Sequence, residues 1–378
     1  MRKLREDEQI LSVPGLSTAV PRKRYATEEL MELFPCKLPE SIKQNIANLG
    51  VRSRYSVTSP DFSRSDSMTS DAGLEVCVDA CRDATQKLGL SADDIGYFIA
   101  TYDADPFLCP GLSSLLVRRL DFPPSIKHVS LQGMACTAFT RALELAKDHL
   151  ASSPRDYVMI CVSGINSYWF YNQVRGMKSV MGIKEIQALG IEKRKRKELR
   201  KWIAALEFFL FGDGAASIIV AKDGQGPRIA DIFHATNLRK TDYLAGYTRL
   251  TVLNQPFSFG FSSHLDKNIR KLGLEYTSVV LERLFGERFF EHEAKVKRWI
   301  IHTGSEAILD DVARNYGIKH EKMKESYEVL AKQGNLAGAS LPFILRRAMQ
   351  KGKLQEDDLV IALAFGWGFS SNVCSMYF

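Results

Sequence analysis

The sequence predicts an α/β protein built from two similar halves, and two observations carry that expectation. Short apolar runs alternate with segments whose apolar residues recur at helical spacing, the pattern of strands covered by helices. The order of these segments then repeats at an offset of about 200 residues, the kind of period an internal duplication leaves. A chain of 378 residues with 45% hydrophobic and 25% charged side chains can bury sizeable cores and has an ordinary globular balance.

In chain order, the apolar-alternating piece Ile10–Val20 reads as a first strand. Asp71–Gly89 reads as a helix, with Leu74, Val78, Cys81, Ala84 and Leu88 on one face. Ile95–Ala100 is a buried strand, Leu112–Leu120 a helix after Pro110-Gly111, and Lys127–Leu131 an alternating strand. Thr137–Leu150 is helical and Tyr157–Ser163 is again a buried strand. Strands alternating with helices imply a mostly parallel sheet. The second half repeats the order: a helix from about Lys267 to Leu284, a strand at Trp299–His302, a helix from near Ser305, a helix after Gly334-Asn335 and a strand at Leu359–Phe365. Even Gly73-Leu74-Glu75 recurs as Gly273-Leu274-Glu275. The halves are placed at residues 1–222 and 223–378. Gly164–Leu210 has no counterpart and reads as an insertion. It holds Tyr168-Trp169-Phe170-Tyr171 and the basic run Lys193–Lys201, which has helical propensity throughout.

That run explains the charge. The chain has 51 Lys and Arg against 44 Asp and Glu, a net +7, and seven of those cations stand in Lys193–Lys201 beside a single Glu. The run reads either as a solvated helix face or as a docking site for anions or an acidic partner. It lacks a recognition fold and interleaved aromatic residues, so nucleic acid ranks last. No run approaches the roughly 18–20 apolar residues of a membrane helix. The N-terminus has no apolar signal core, and the seven cysteines are scattered without CxxC or His-rich spacing. A reduced, cytoplasmic protein with no disulfide framework, metal or cofactor is expected.

Cys136 stands in Leu-Gln-Gly-Met-Ala-Cys-Thr-Ala-Phe, where a strand gives way to a helix. Alone, a Cys among Met, Ala and Phe is buried filler. At a helix N-terminus, unpaired N–H groups and the helix dipole favour the nucleophilic thiolate. His302 ends the second-half strand in Ile-Ile-His-Thr-Gly, and Asn335, in Gly-Asn-Leu-Ala-Gly-Ala-Ser, falls at the repeat position of Cys136. A satisfied core histidine and a helix cap are the ordinary readings of the two taken singly. The triple on matched positions favours one shared cleft.

With these residues the chain resembles the thiolase superfamily, in the branch holding ketoacyl-acyl-carrier-protein synthase III and chalcone-synthase-type (type III) polyketide synthases. The likeness runs from Leu16-Ser17-Thr18-Ala19-Val20-Pro21 through Gly50-Val51-Arg52-Ser53-Arg54, Cys136, Phe211-Gly212-Asp213-Gly214-Ala215-Ala216, His302 and Gly334-Asn335 to Phe365-Gly366-Trp367-Gly368-Phe369. It implies a duplicated five-layer αβαβα fold with two pseudo-symmetric halves. It implies that Cys136 takes an acyl group from a thioester, and that His302 and Asn335 polarise the thioester of a malonyl-type extender for decarboxylative Claisen condensation, in fatty-acid or polyketide biosynthesis. The N–H groups of Cys136 and Gly368 would form the oxyanion hole, Phe211 would gate the pocket beside Trp367, and Arg52 and Arg54 match the place that holds coenzyme A phosphates. Cys109, before Pro110-Gly111, stands where related synthases send a residue across a homodimer interface into the partner's pocket. Coenzyme A or acyl-carrier-protein thioesters are the implied substrates. Ala135-Cys136-Thr137-Ala138-Phe139 is closer to the synthase III pattern, while His302-Thr303-Gly304 and Phe-Gly-Trp-Gly are closer to the chalcone type. Two further readings stand beside condensation: acyl transfer from Cys136 to an alcohol or amine with His302 as general base, and a non-catalytic partner subunit.

Overall fold

The structure, a computed structural model, describes residues 11–60, 70–103, 109–153, 157–222, 224–252, 259–351 and 354–378. Ile10 and the polar N-terminal residues lie outside them. The first half begins with β1 (Leu11–Ala19), β2 (Arg24–Ala26), α1 (Thr27–Leu33), α2 (Glu40–Ala47) and β3 (Ser53–Tyr55). It continues with α3 (Ser70–Leu88), β4 (Ile95–Tyr102), α4 (Leu112–Leu116), β5 (Lys127–Gln132), α5 (Ala138–Ser152) and β6 (Tyr157–Gly164). The insertion supplies α6 (Ser167–Val174), α7 (Ile183–Gln187) and α8 (Glu192–Leu210), and β7 (Gly214–Lys222) closes the half.

The second half opens with β8 (Arg228–Thr236) and the hairpin β9 (Gly246–Val252) and β10 (Phe259–Leu265). Then come α9 (Ile269–Phe285), α10 (Phe289–Glu293), β11 (Val296–Ile301), α11 (Glu306–Tyr316) and α12 (His320–Gln333). It ends with α13 (Ser340–Lys351), β12 (Leu359–Gly366) and β13 (Ser370–Tyr377).

A nine-stranded sheet runs in the order β11-β12-β13-β8-β1-β7-β6-β4-β5. In the first half β4 and β6 are parallel, and β6–β7 and β7–β1 antiparallel. In the second half β11 and β12 are parallel, and β12–β13 and β13–β8 antiparallel. The two halves share this pattern and meet where β1 pairs antiparallel with β8, Ser12 opposite Arg228. The edge strand β5 has no counterpart among the described residues of the second half. The sheet is therefore mixed, and the expectation of a mostly parallel sheet is corrected. Each half closes with a strand that returns beside its predecessor: β12 reaches β13 through Trp367–Phe369 alone, whereas β6 reaches β7 through the whole insertion. A parallel pair needs a long crossover, but an antiparallel return allows either length.

Helices α5 and α13 lie between the two halves of the sheet. Phe139, Leu143, Ile344 and Leu345 pack in one core with Ile160 and Ile218 of the first half and Val360 and Ala362 of the second. Outside, α3 covers the first half, its Val78 and Cys81 in one core with Phe98 of β4. Helices α9 and α11 cover the second, Tyr276 and Leu309 in one core with Trp299 of β11. These are the five layers of the expected thiolase-like fold. The insertion builds a smaller core of its own, with Phe170, Phe208 and Phe209 packed against Phe34, Ile42 and Ile46. It is a folded layer over α1 and α2 rather than a solvated excursion.

One detail of the repeat changes. Ala135 and Ala337 both adopt positive φ, 47° and 48°, in the short 3-10 turns that lead into α5 and α13. The structural partner of Cys136 is therefore Gly338, and Asn335 stands three residues before that position, not on it. The offset read from sequence was slightly too small, because the length between strand and turn differs in the two halves.

Candidate active site

Cys136, His302 and Asn335 line one cavity of about 620 Å³, within the usual size of a small-molecule site. Cys136 sits in the 3-10 turn Ala135–Thr137 ahead of α5. Ala135 N donates to Asp103 Oδ1 at 2.9 Å, Thr137 N donates to Met134 O at 3.2 Å, and Ala138 N donates to Ala135 O. His302 follows β11, its N–H donating to Leu363 O of β12 at 2.9 Å. Asn335 follows α12, which Gly334 ends at φ 72°. The Asn335 Oδ1 accepts the Ala337 N–H at 2.8 Å. That bond fixes the amide orientation, since only the oxygen can accept it, and leaves Nδ2 as the donor.

Ser340 ties the two turns together. Its buried hydroxyl accepts from Thr303 Oγ1 at 2.8 Å and from Leu336 N at 3.0 Å. The insertion braces the same place. Asn335 N donates to Leu210 O at 2.9 Å, and Gly212 N donates to Asn335 O at 3.1 Å. Gly212 has no room for a side chain, because a Cβ there would stand 2.1 Å from Gln333 O. Next to it, Asp213 accepts the N–H groups of Val57 and Asn166 at 2.7 Å each and of Ser167 at 2.9 Å. Gly212-Asp213-Gly214 is therefore a clamp on three chain segments.

Electrostatics departs from the sequence reading at the thiol. Burial, and then the Asp103 carboxyl beside it, push the Cys136 thiol up rather than down. The dipole expectation fails because the turn uses the first N–H groups internally and the helix proper begins only at Ala138. Asp103 is itself lifted to about 6 by burial, against the N–H groups of Ala135 and Gly133. Burial pushes His302 down to about 3, and its Nδ1 is buried without a hydrogen-bond partner among the described residues. The site thus holds a neutral thiol, a neutral imidazole and a neutral amide. For His302 the pH consequence has a definite sign. The unfolded chain takes up a proton near 6.5 and the folded site does not, so folding stability from this group is present above 6.5 and falls as pH drops toward 3. Asp103→Asn should speed iodoacetamide alkylation of Cys136 several-fold at pH 8 by removing a nearby negative charge. An unchanged alkylation profile would show that the carboxyl does not act on the thiol.

Other sequence candidates divide. Phe211, Trp367 and Gly368 line the cavity with the three residues above. Phe211 stacks on Phe170, ring centroids 4.4 Å apart. Gly366 lies directly under the nucleophile turn, where a Cβ would stand 3.1 Å from Cys136 N and 3.3 Å from Ala135 Cβ. Gly366→Ala should therefore slow acylation of Cys136 at a stability cost of about 1–3 kcal/mol, read by acylation rate against melting temperature. Cys109 is exposed and is not among the residues lining this chain's cavity. Arg52 is exposed, but Arg54 is only 4% exposed, with its guanidinium 4.7 Å from the Phe208 ring and Asp213 as its electrostatic partner. The assignment of Arg54 to coenzyme A phosphates is corrected, because the group is enclosed by α8 and cannot meet a surface anion. Sequence reasoning missed Asp103 and Glu207, both cavity-lining carboxyls. Glu207 stands four residues before Phe211 and so shares its helix face, a signal that was available.

All seven cysteines are free thiols. Among the described residues, no cluster of His, Cys, Asp and Glu is arranged to hold a metal, and no helix is long and apolar enough to cross a membrane.

Comparison with known proteins agrees with this architecture. Residues 292–377 match the family described as 3-oxoacyl-[acyl-carrier-protein] synthase III C terminal, and residues 54–181 match the FAE1/type III polyketide synthase-like family. The chain is 22% identical over 379 residues to 3,5-dihydroxyphenylacetyl-CoA synthase of Amycolatopsis balhimycina, covering 95% of this chain and 91% of that one. It is 23% identical over 339 residues to phloroglucinol synthase of Pseudomonas fluorescens, covering 88% and 87%. Among solved structures, CsyB complexed with coenzyme A matches with a TM-score of 0.78 and 18% identity over 97% of this chain and 99% of that one. A variant of OleA from Xanthomonas campestris matches with a TM-score of 0.72 and 16% identity over 98% and 99%. The chain thus shares the fold of CsyB and OleA, and its two matched segments make it similar to the condensing enzymes of the synthase III and type III polyketide synthase-like branch.

Proposed function

We propose that this protein joins an acyl group held on Cys136 to a malonyl-type extender by decarboxylative Claisen condensation. The observation that carries the reading is the meeting of a thiol, a neutral imidazole and an oriented amide N–H in one cavity. In the first step the Cys136 sulfur attacks an acyl-coenzyme A carbonyl. The carbon–sulfur bond to coenzyme A breaks, its thiol leaves with the proton, and the acyl-enzyme remains. The N–H groups of Cys136 and Gly368 hold the oxyanion formed on the way. In the second step the malonyl carboxylate leaves as carbon dioxide and its electron pair becomes an enolate, whose oxygen His302 and Asn335 stabilise as neutral donors. The enolate carbon attacks the acyl-enzyme carbonyl and releases the Cys136 sulfur as a thiolate, which takes up a proton from solvent, giving a β-ketoacyl thioester.

Neutral donors suit this task. They stabilise an enolate without protonating it, and a histidine held at about 3 keeps its charge state across the physiological range. The rate of carbon dioxide release should therefore show no histidine titration between pH 5 and 8. Carbon dioxide release from malonyl-coenzyme A together with a ketoacyl product supports condensation. Acyl transfer to an added alcohol or amine with no carbon dioxide would overturn it.

Coenzyme A or an acidic acyl carrier protein presents the thioesters, and no other cofactor is required. The first turns of α8 expose Lys193, Arg194, Arg196, Lys197 and Arg200 on one surface, a complement to an acidic carrier. Neutralising these five side chains should raise KM for carrier-bound thioesters and leave coenzyme A thioesters unaffected; equal loss of both would assign the helix a structural role. A homodimer formed beside exposed Cys109 completes the proposal, and sedimentation of the purified chain tests it.

A further inference from the structure

Glu207 lies on the inner face of α8 and lines the same cavity as Cys136. The residue is 3% exposed. Neither carboxyl oxygen has a hydrogen-bond partner of ordinary geometry, and no ion pair holds it among the described residues. Its polar neighbour is Ser263 of β10. That hydroxyl also stands 3.0 Å from Thr248 Oγ1 and accepts from Gln173 Nε2 at 3.4 Å, so it is shared among three groups. The cavity it lines is also walled by Phe170, Leu210, Phe211 and Leu265, with Thr248 beside Ser263.

A buried carboxyl without a cation does not stay charged. Burial lifts Glu207 to about 8, so at neutral pH it carries an O–H and is a hydrogen-bond donor on the cavity wall. A hydrocarbon chain laid against it leaves that donor unsatisfied, whereas a chain with an oxygen at the same depth satisfies it. Sites built to hydrogen-bond a substrate oxygen reject the analogue that lacks it.

We infer that Glu207 is a specificity-determining residue that donates a hydrogen bond to a ketone oxygen of the Cys136-bound acyl chain, so that the cavity takes oxo-substituted acyl groups in preference to saturated ones. The inference rests on Cys136 being the acyl carrier, and it adds the chemical class of the chain. It also gives the cavity a chemical order. A once-extended chain carries the ketone that Glu207 recognises, so the product of one condensation is a better occupant than the saturated starter.

The test compares Cys136 loading by a 3-oxoacyl-coenzyme A and by the saturated acyl-coenzyme A of the same carbon number, read by intact-protein mass. Glu207→Met, of similar shape and no donor, should lower the oxo-to-saturated ratio of loading rates by about tenfold, the worth of one hydrogen bond left unmade. Glu207→Gln, which folds as the near-isostere and keeps an N–H donor, should hold the ratio within about threefold of wild type, by the same reasoning about donor capacity. A ratio unchanged in Glu207→Met, or lowered as much in Glu207→Gln as in Glu207→Met, overturns the inference. Absence of any adduct in the wild-type protein with either thioester would instead overturn the acyl-enzyme reading itself, so the two failures are distinct.

Discussion

Asn335→Ala is expected to leave acylation of Cys136 intact and to cut carbon dioxide release from malonyl-coenzyme A by about 10²–10³-fold, the usual loss on removing one oxyanion donor. The separation follows from geometry. Asn335 Oδ1 is occupied by the Ala337 N–H, so only Nδ2 is available to a thioester oxygen. In the proposed mechanism the acyl oxyanion meets the backbone N–H groups of Cys136 and Gly368, which the substitution does not touch. Removing the side chain also frees the Ala337 N–H, whose turn is held independently by Ser340 through Leu336 N. The fold should therefore survive, and single-turnover acylation beside decarboxylation separates the two steps. Equal loss of both activities would mean that Asn335 acts on the turn and not on the extender.

The largest effect on stability is expected at Asp213. Its carboxylate accepts three backbone N–H groups, from Val57, Asn166 and Ser167, in a fully buried position. Asp213→Ala leaves all three unpaired in the interior and removes the electrostatic partner of buried Arg54. At about 1–3 kcal/mol for each unsatisfied buried group, the loss approaches the whole stability of many domains, so the variant should fail to accumulate as folded protein. Asp213→Asn keeps an acceptor oxygen and should fold with a lowered melting temperature. A stable, active Asp213→Ala would show that water replaces the carboxylate there.

Much of the site was readable because its residues stand at punctuation points. Cys136, His302 and Asn335 each follow a strand or helix end marked by apolar runs and by Gly, and the duplication brought Asn335 within three residues of the position that matches Cys136. What sequence could not show was contact between distant segments. Arg54 reads as a surface arginine until Phe208, far along the chain, closes over it. The acidity of Cys136 turned on Asp103 and on which N–H groups the turn consumes, neither of which follows from a helix N-terminus alone. The direction of β7 and β13 was hidden for a related reason: alternating patterns give the order of elements but not the sense in which a returning strand pairs. The insertion was legible as a basic helix at its start, whereas its inner face, with Glu207 and Phe211 in the cavity, needed the packing of Phe170 and Phe34 around it.

Every step of the proposed condensation requires Cys136 as the acyl carrier. Intact-protein mass after incubation with a panel of acyl-coenzyme A thioesters measures this most directly. The prediction is a mass increase equal to one acyl group, localised to the peptide containing Cys136, absent in Cys136→Ala, and discharged with carbon dioxide release when malonyl-coenzyme A is added. An adduct that persists in Cys136→Ala, or no adduct with any thioester of the panel, would contradict it.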